Sequence, residues 1–176
     1  MKVRSVLFSV FVLAFLLAPG AAPSAPGPGA LPGRVGQDPA GDYALHPRER
    51  VFHAGSLAWR PESSLPPGAA SVVLEGNPAK PGLVILRLKM PDGYRIPPVW
   101  HPATDRFTVI SGTYHMGVGP KFDRSKAVAL HAGDFAWLSA AAPHYGWASG
   151  ETVLEVVGLG AFVTHYVNPK EDPRRR

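Results

Sequence analysis

The amino-acid sequence predicts an all-β, single-domain fold, an antiparallel sandwich or jelly-roll β-barrel, over about residues 43–169. Short runs rich in β-branched and apolar residues follow one another at close spacing, and Gly- or Pro-containing turn signals separate them. No window shows sustained helical periodicity with capping residues. Many short strands with frequent turns are typical of antiparallel sandwiches and barrels.

Seven runs carry the strand prediction. They are 71–75, 83–90, 106–118, 135–138, 144–148, 152–157 and 161–167. Run 106–118 is interrupted by glycine, which predicts a hairpin whose turn lies near Ser111 and Gly112. Turn signals between the other runs include Pro91-Asp92-Gly93, Ala132-Gly133-Asp134 and Ser149-Gly150.

Two segments precede the predicted domain. Residues 1–22 have a positive start (Lys2, Arg4), an apolar run and then small residues, which is typical of a secretory signal peptide. The apolar run is shorter than the ~20 residues that a membrane-spanning helix needs, so a cleaved signal is favoured over an anchor. Residues 23–42, rich in Pro, Gly and Ala, predict a disordered tether. We therefore expect a periplasmic or secreted protein without stable membrane insertion after cleavage.

Composition excludes several functions. The chain has 18 basic and 13 acidic residues. Removal of Lys2 and Arg4 with the signal peptide leaves 16 basic residues and a net charge of +3. The three arginines of a charged tail, residues 170–176, account for this charge. Such a tail is not the basic face with interleaved aromatics that nucleic-acid binding requires, so no nucleic-acid partner is expected. The chain has no cysteine, which excludes thiolate metal ligands and thiol nucleophiles. It also has no Gly-rich phosphate loop before a helix and no Gly-x-Ser-x-Gly elbow.

Three ligand-type side chains are expected to meet inside the barrel. Strand alternation places Val99 and His101 on one face, and Asp105 and Phe107 on one face of the next strand. His144 begins a later strand. If these faces form the barrel interior, two imidazoles and one carboxylate converge there. This donor set can form a facial triad that holds a divalent transition metal with open positions.

The spacing of the first site segment resembles the first motif of the cupin superfamily. That motif is Gly, five residues, His-x-His, three or four residues, Glu, six residues, Gly. Here Gly93, Val99, His101, Asp105 and Gly112 occupy its fixed positions. Every spacing matches, but valine replaces the first histidine and aspartate replaces the glutamate.

The second site segment resembles the second cupin motif. That motif is Gly, five residues, Pro-x-Gly, two residues, His, three residues, Asn. Its positions are occupied here by Gly133, Ser139, Ala141, His144 and Ala148. The spacing and the histidine are kept, while the proline, the second glycine and the asparagine are replaced.

The resemblance covers about residues 71–168 and implies a conical antiparallel barrel. Three stretches, 64–68, 94–112 and 166–169, more closely resemble a group of exported bacterial single-domain cupins of unsettled activity. In the superfamily the corresponding positions bind a metal. The resemblance therefore implies iron, manganese, zinc or nickel on His101, Asp105 and His144, with nothing to ligate at Val99.

Three interpretations of the function stay open. The first is a metal-dependent small-molecule enzyme, oxygenase-like or isomerase-like, with substrate near Val99, Phe107 and His115; no catalytic residue and no organic cofactor site is assigned. The second is a non-catalytic binding module whose degenerate site has lost its metal. The third is an interaction protein that uses the barrel as a homodimeric scaffold, because barrels with exposed edge strands often pair them. For His115 a surface or core role is favoured over ligand contact.

The other aromatic and histidine side chains are expected to be structural. Strand alternation points Trp100, Tyr145 and Trp147 away from the metal-site face, where they are expected to pack between sheets or at a dimer surface. His165, near the end of the last strand, is also expected to be structural.

Overall fold

A computed structural model describes residues 50–175, which form one antiparallel sheet of nine strands. The segments predicted to be a signal peptide and a tether, 1–22 and 23–42, lie outside the described residues. The strands are β1 (Arg60–Pro61), β2 (Ala70–Glu75), β3 (Leu83–Met90), β4 (Arg95–Trp100), β5 (Asp105–Val118), β6 (Val128–His131), β7 (Phe135–Leu138), β8 (His144–Leu159) and β9 (His165–Tyr166).

The two long strands, β5 and β8, connect the whole sheet. They pair with each other from Asp105↔Gly158 to Val118↔His144. On its other edge β5 pairs first with β7 and then with β6, whereas β8 pairs with β4 near its start and with β3 beyond the middle. Each long strand therefore passes through both halves of a curled antiparallel sheet, and the predicted all-β barrel is confirmed.

The predicted hairpin at Gly112 is wrong, because β5 continues through this residue. Gly112 has a φ of 79°, and the β5–β8 register shifts on both sides of Ser111. A Cβ atom on Gly112 would collide with the Glu151 carbonyl. The glycine thus admits a β-bulge and a close approach of two bent strands, not a chain reversal. Gly150 bends β8 at the same corner with a φ of 72°.

Runs 83–90 and 135–138 coincide with β3 and β7, and run 71–75 lies within β2. Runs 144–148 and 152–157 belong to the single strand β8, and run 161–167 contains only the two-residue β9. Strands β1, β4 and β6 lie outside the predicted runs. Strand β4 contains Pro97 and Pro98, which cannot donate to a ladder, and its pairing with β8 is irregular between Ile96 and Val99.

The inward faces of the strands form one hydrophobic core. It includes Met90, Val99, Val109, Ala148 and Leu154, each at most 3% exposed. Burial of each larger side chain in this core contributes roughly 1.5–3 kcal/mol to the stability of the fold. Among residues 50–175, no helix is long and apolar enough to span a bilayer.

The chain end described by the structure is ordered against the barrel. Residues 169–175, which include most of the expected charged tail, form two short 3₁₀ turns. Asp172 is buried and accepts hydrogen bonds from the Arg174 backbone and guanidinium. The same guanidinium donates to the carbonyl of Thr164 at 2.7 Å. Arg174 is therefore anchored by its neighbours and is not a freely solvated charge.

Candidate metal centre

His101, Asp105 and His144 come together at the ends of three strands. His101 follows β4, Asp105 begins β5 and His144 begins β8. All three side chains are buried, and each offers one donor atom within 4.8 Å of the other two. Oδ2 of Asp105 lies 3.9 Å from Nε2 of each histidine. The convergence expected from strand alternation is thus present in the structure.

Backbone carbonyls fix which nitrogen of each imidazole faces the carboxylate. Nδ1 of His101 lies 3.1 Å from the carbonyl of Val163, and Nδ1 of His144 lies 3.1 Å from that of Ala142. A carbonyl only accepts, so each Nδ1 carries the proton and donates it. Each Nε2 is left with a lone pair directed at Asp105. This orientation is the one that second-shell hydrogen bonds give to metal-binding histidines.

Burial sets the charge state of the three groups. Burial lowers the pKa of His101 to about 4, aided by the neighbouring His144, and burial also lowers the pKa of His144. Burial raises the pKa of Asp105 to about 7. Near neutral pH both imidazoles are therefore neutral, as metal ligation requires.

The carboxylate of Asp105 has an unmet need for a partner. Within the described residues, its Oδ1 atom is buried and forms no hydrogen bond. Its Oδ2 atom faces two nitrogen lone pairs, which also cannot donate to it. The backbone N–H and the charge of Arg106 favour the ionised carboxylate but do not outweigh its burial. A buried carboxylate with an unpartnered oxygen is costly, and a divalent cation between the three groups would reduce that cost. The donor chemistry and the orphaned oxygen both fit a metal ion.

A strained loop supports the histidines from one side. Ala141 occupies the position where the cupin motif has its second glycine, and its φ of 60° is the left-handed conformation that glycine favours. Its backbone N–H donates to the carbonyl of His101 at 2.8 Å. The loop before His144 is thereby tied to the other histidine of the site.

Phe162 supports His101 from the other side. The two rings stack with centroids 4.4 Å apart and an interplanar angle of 18°. A Cβ atom on Gly158 would collide with the Phe162 ring, so the absent side chain of Gly158 makes room for this stack. Gly158 is paired with Asp105 across the ladder, which brings the phenylalanine to the metal-site end of the barrel.

The three donor groups line a cavity of about 300 Å³ inside the barrel. Val99 and Phe107, two of the expected substrate-binding residues, also line it. Most of the remaining wall is aliphatic or aromatic, formed by Leu65, Val73, Leu86, Leu88, Ile96, Tyr114, Leu154, Val156 and Phe162. The chamber combines an apolar wall with a few convergent polar groups, as small-molecule sites do.

His115, the third expected substrate-binding residue, does not line this cavity. Its ring stacks on that of Trp147, with centroids 4.5 Å apart and an interplanar angle of 3°. Its Nε2 lies 3.0 Å from Oγ of Ser149. The bulge at Gly112 reverses the alternation of β5, so Tyr114 faces the cavity and His115 faces outward. The favoured structural role of His115 agrees with this placement.

The predicted outward direction of three other aromatic residues agrees with the structure. Trp100 stacks on His165 with centroids 4.2 Å apart, and neither ring lines the cavity. Tyr145 and Trp147 contact Phe122 on the outer side of the barrel.

Sequence reasoning missed several residues that line the cavity. Glu62 and Arg174 lie outside both motifs, one before β2 and the other in the terminal segment that we expected to be a solvated tail. Phe162 lies in a run predicted to be strand. Only Tyr114 had a signal in the sequence, since a bulge at Gly112 in place of a hairpin would have placed it inside.

Comparisons with known proteins identify the fold. No protein-family model and no curated protein sequence matches the chain. Solved structures do, among them an RmlC-like cupin from Shewanella frigidimarina, with a TM-score of 0.52 at 16% identity over 64% of this chain and 92% of that one. KdgF from Halomonas sp. matches with a TM-score of 0.50 at 16% identity, over 62% of this chain and 94% of KdgF.

A third similar structure is matched over about two thirds of each chain. The DMSP lyase DddQ from Ruegeria pomeroyi gives a TM-score of 0.53 at 19% identity, over 66% of this chain and 64% of DddQ. At such identities the similarity shows the fold. The chain thus has the cupin fold that the motif spacing predicted.

Proposed function

We propose that this barrel is a divalent-metal protein that acts on a small molecule, with His101, Asp105 and His144 as its metal ligands. The observation that carries the proposal is the buried donor set: two neutral imidazoles direct their lone pairs at a carboxylate whose second oxygen has no partner among the described residues. Iron, manganese, zinc and nickel all accept imidazole and carboxylate ligands.

The proposed activity is that of a metal-dependent enzyme, oxygenase-like or isomerase-like. A metal bound by three protein groups supplies a Lewis acid with positions left for substrate or oxygen. The chain itself contributes the surroundings. Val99 and Phe107 present apolar surface beside the donor set, and the largely apolar wall excludes water from a bound molecule. The carbonyls of Ala142 and Val163 hold the two imidazoles in the ligating tautomer.

Elemental analysis of the purified protein tests the proposal. The protein should be purified without a His tag, exposed in turn to each of the four metals and freed of excess ion. We expect close to one metal per chain in the wild type and a loss of at least tenfold in affinity in His144→Ala. His115→Ala is the matched control, because His115 lies outside the cavity, and it should retain the metal. Failure of all four metals to bind would refute the proposal.

A metal-free binding module is the second candidate. It is favoured by Val99, which is 1% exposed and makes the position of a family ligand apolar. In that case a ligand would use the apolar wall and would bind equally well to chelated protein. Binding of the same compound before and after chelation therefore separates the two candidates.

Export and dimerisation belong to the proposal as well. Export is supported by the composition of residues 1–22. Mass spectrometry of the protein recovered from the extracytoplasmic fraction of a native host tests it, because a cleaved signal peptide would lower the mass of the chain. A homodimer is supported by Phe135 and Trp137, which are 58% and 59% exposed on the short strand β7. Sedimentation at high concentration that shows only monomer would exclude the dimer.

A further inference from the structure

Arg174 places a fixed positive charge on the wall of the same cavity. Its Nε donates to Oδ1 of Asp172 at 2.8 Å, and its Nη2 donates to Oδ2 of Asp172 at 3.0 Å and to the carbonyl of Thr164 at 2.7 Å. These bonds use three of the five guanidinium N–H groups. Among residues 50–175, no acceptor is bonded to Nη1. Two donors are therefore uncommitted in a side chain that lines the cavity and is 38% exposed to solvent.

The position of Arg174 is tied to that of the metal site by adjacent residues. The carbonyl of Val163 holds His101, and the carbonyl of Thr164, the next residue, holds Arg174. Carbonyl oxygens of neighbouring residues are at most about 5 Å apart, so Nη2 of Arg174 lies within about 11 Å of Nδ1 of His101. A compound of a few carbon atoms can therefore reach from the guanidinium to the donor set.

Glu62, the other charged side chain on this part of the wall, is already occupied. Its Oε1 accepts from the backbone and hydroxyl of Ser64, and its Oε2 accepts from the hydroxyl of Ser71. Burial opposes its ionisation, but these hydrogen bonds and the nearby charge of Arg174 together outweigh burial and lower the pKa of Glu62. Glu62 is thus a satisfied anion that fixes the two serines, whereas Arg174 retains donors for a ligand.

We propose that Arg174 is a specificity-determining residue that binds a carboxylate of the substrate, so that the cavity takes a small organic acid. The inference rests on the proposed function, since the other end of the acid would be directed at the metal site. A guanidinium presents paired N–H donors that match the two oxygens of a carboxylate. The apolar wall between the two ends suits a short methylene chain.

Binding of short dicarboxylates tests the inference. Succinate, glutarate and adipate would be titrated into zinc-loaded protein by calorimetry, with zinc content measured on every sample. We expect at least one to bind, and its monoamide to bind about tenfold more weakly. Arg174→Gln keeps the length and an N–H donor but removes the charge, and it should weaken binding of the diacid by about tenfold. It should not weaken the monoamide further.

Arg175→Gln is the matched control. Arg175 is exposed, as Arg174 is, and lies beside the same Asp172, but it does not line the cavity. Its variant should therefore bind the diacid within about twofold of the wild type. Equal losses in both variants, an unchanged Kd in Arg174→Gln, or no binding of any diacid to zinc-loaded protein would overturn the inference while leaving the metal site intact. If none of the four metals binds, the proposed function fails. In that case the same titrations on metal-free protein test whether Arg174 binds the diacid without a metal. An unchanged Kd in Arg174→Gln would again overturn its role.

Discussion

Phe162 lies in the space that Gly158 leaves open, and from there it stacks on His101. Gly158, a β8 residue without a side chain, thus makes room for the ring that packs on His101, a proposed metal ligand. A Cβ atom at position 158 would collide with the Phe162 ring, so the ring would have to shift from its present stack on His101.

The first prediction concerns Gly158→Ala. The added methyl group should displace Phe162, lower the free energy of unfolding by about 1–3 kcal/mol, as overpacking does, and weaken metal binding. Urea unfolding and a metal titration measure the two effects. In Gly158→Ala/Phe162→Ala the clash is absent, so the second substitution should cost much less stability there than in the wild type. Strict additivity of the two changes would contradict the proposed contact.

The second prediction concerns the pH dependence of metal-free protein. Burial raises the pKa of Asp105 from 3.8 in a free side chain to about 7, so the folded protein holds this proton more tightly than the unfolded chain. The carboxyl therefore costs stability as pH rises from about 4 to 7. Asp105→Asn should raise the free energy of unfolding at pH 8, on the order of 2–4 kcal/mol, and abolish metal binding.

The difference between Asp105→Asn and the wild type should shrink towards zero as pH is lowered to 4, because the native carboxyl is then neutral. Denaturant unfolding of chelated protein across this range measures it. Glu151→Gln, at an exposed position, is the control and should show no comparable pH dependence. A difference that stays constant from pH 4 to pH 8 would rule out a buried, unpaired Asp105.

The third prediction concerns the strained loop. Ala141 has a φ of 60°, a conformation that costs about 1–2 kcal/mol for a residue with a Cβ, whereas glycine carries an extra unfolded-state entropy of about 0.4–1 kcal/mol. Ala141→Gly should therefore stabilise the protein by about 0.5–1 kcal/mol. Ala140→Gly, next to it and without a positive φ, should be neutral or destabilising. Thermal unfolding that ranks the two variants in the reverse order would show that the loop is not strained.

The fourth prediction restores the first histidine of the cupin motif. Val99 is paired with His144 across β4 and β8, so their Cβ atoms are expected to lie about 4.5–5.5 Å apart. Val99→His should add a third imidazole and tighten metal binding at least tenfold. Val99→Ala, which enlarges the site without a ligand, should not. Equal affinities for Val99→His and the wild type would mean that this position is out of reach of the metal.

The sequence could predict the barrel and the donor set because both depend on local spacing. Glycine punctuation marked the strands, and alternation placed His101 and Asp105 inside. The prediction from glycine positions failed at Gly112, because glycine occurs in both turns and bulges and only the pairing with the partner strand decides between them. That error also left the direction of His115 open. The place of Arg174 in the cavity wall could not be predicted from the sequence, because it depends on contacts with Thr164 and Asp172 that form only in the folded chain.

X-ray absorption of zinc-loaded protein tests the central claim most directly, since it counts the imidazoles bound to the metal. We predict two imidazole nitrogens at about 2.0–2.1 Å in the wild type, one in His144→Ala and three in Val99→His, with oxygen ligands completing each shell. Zinc that shows no imidazole ligands, or the same number in all three proteins, would contradict a metal centre built on His101, Asp105 and His144.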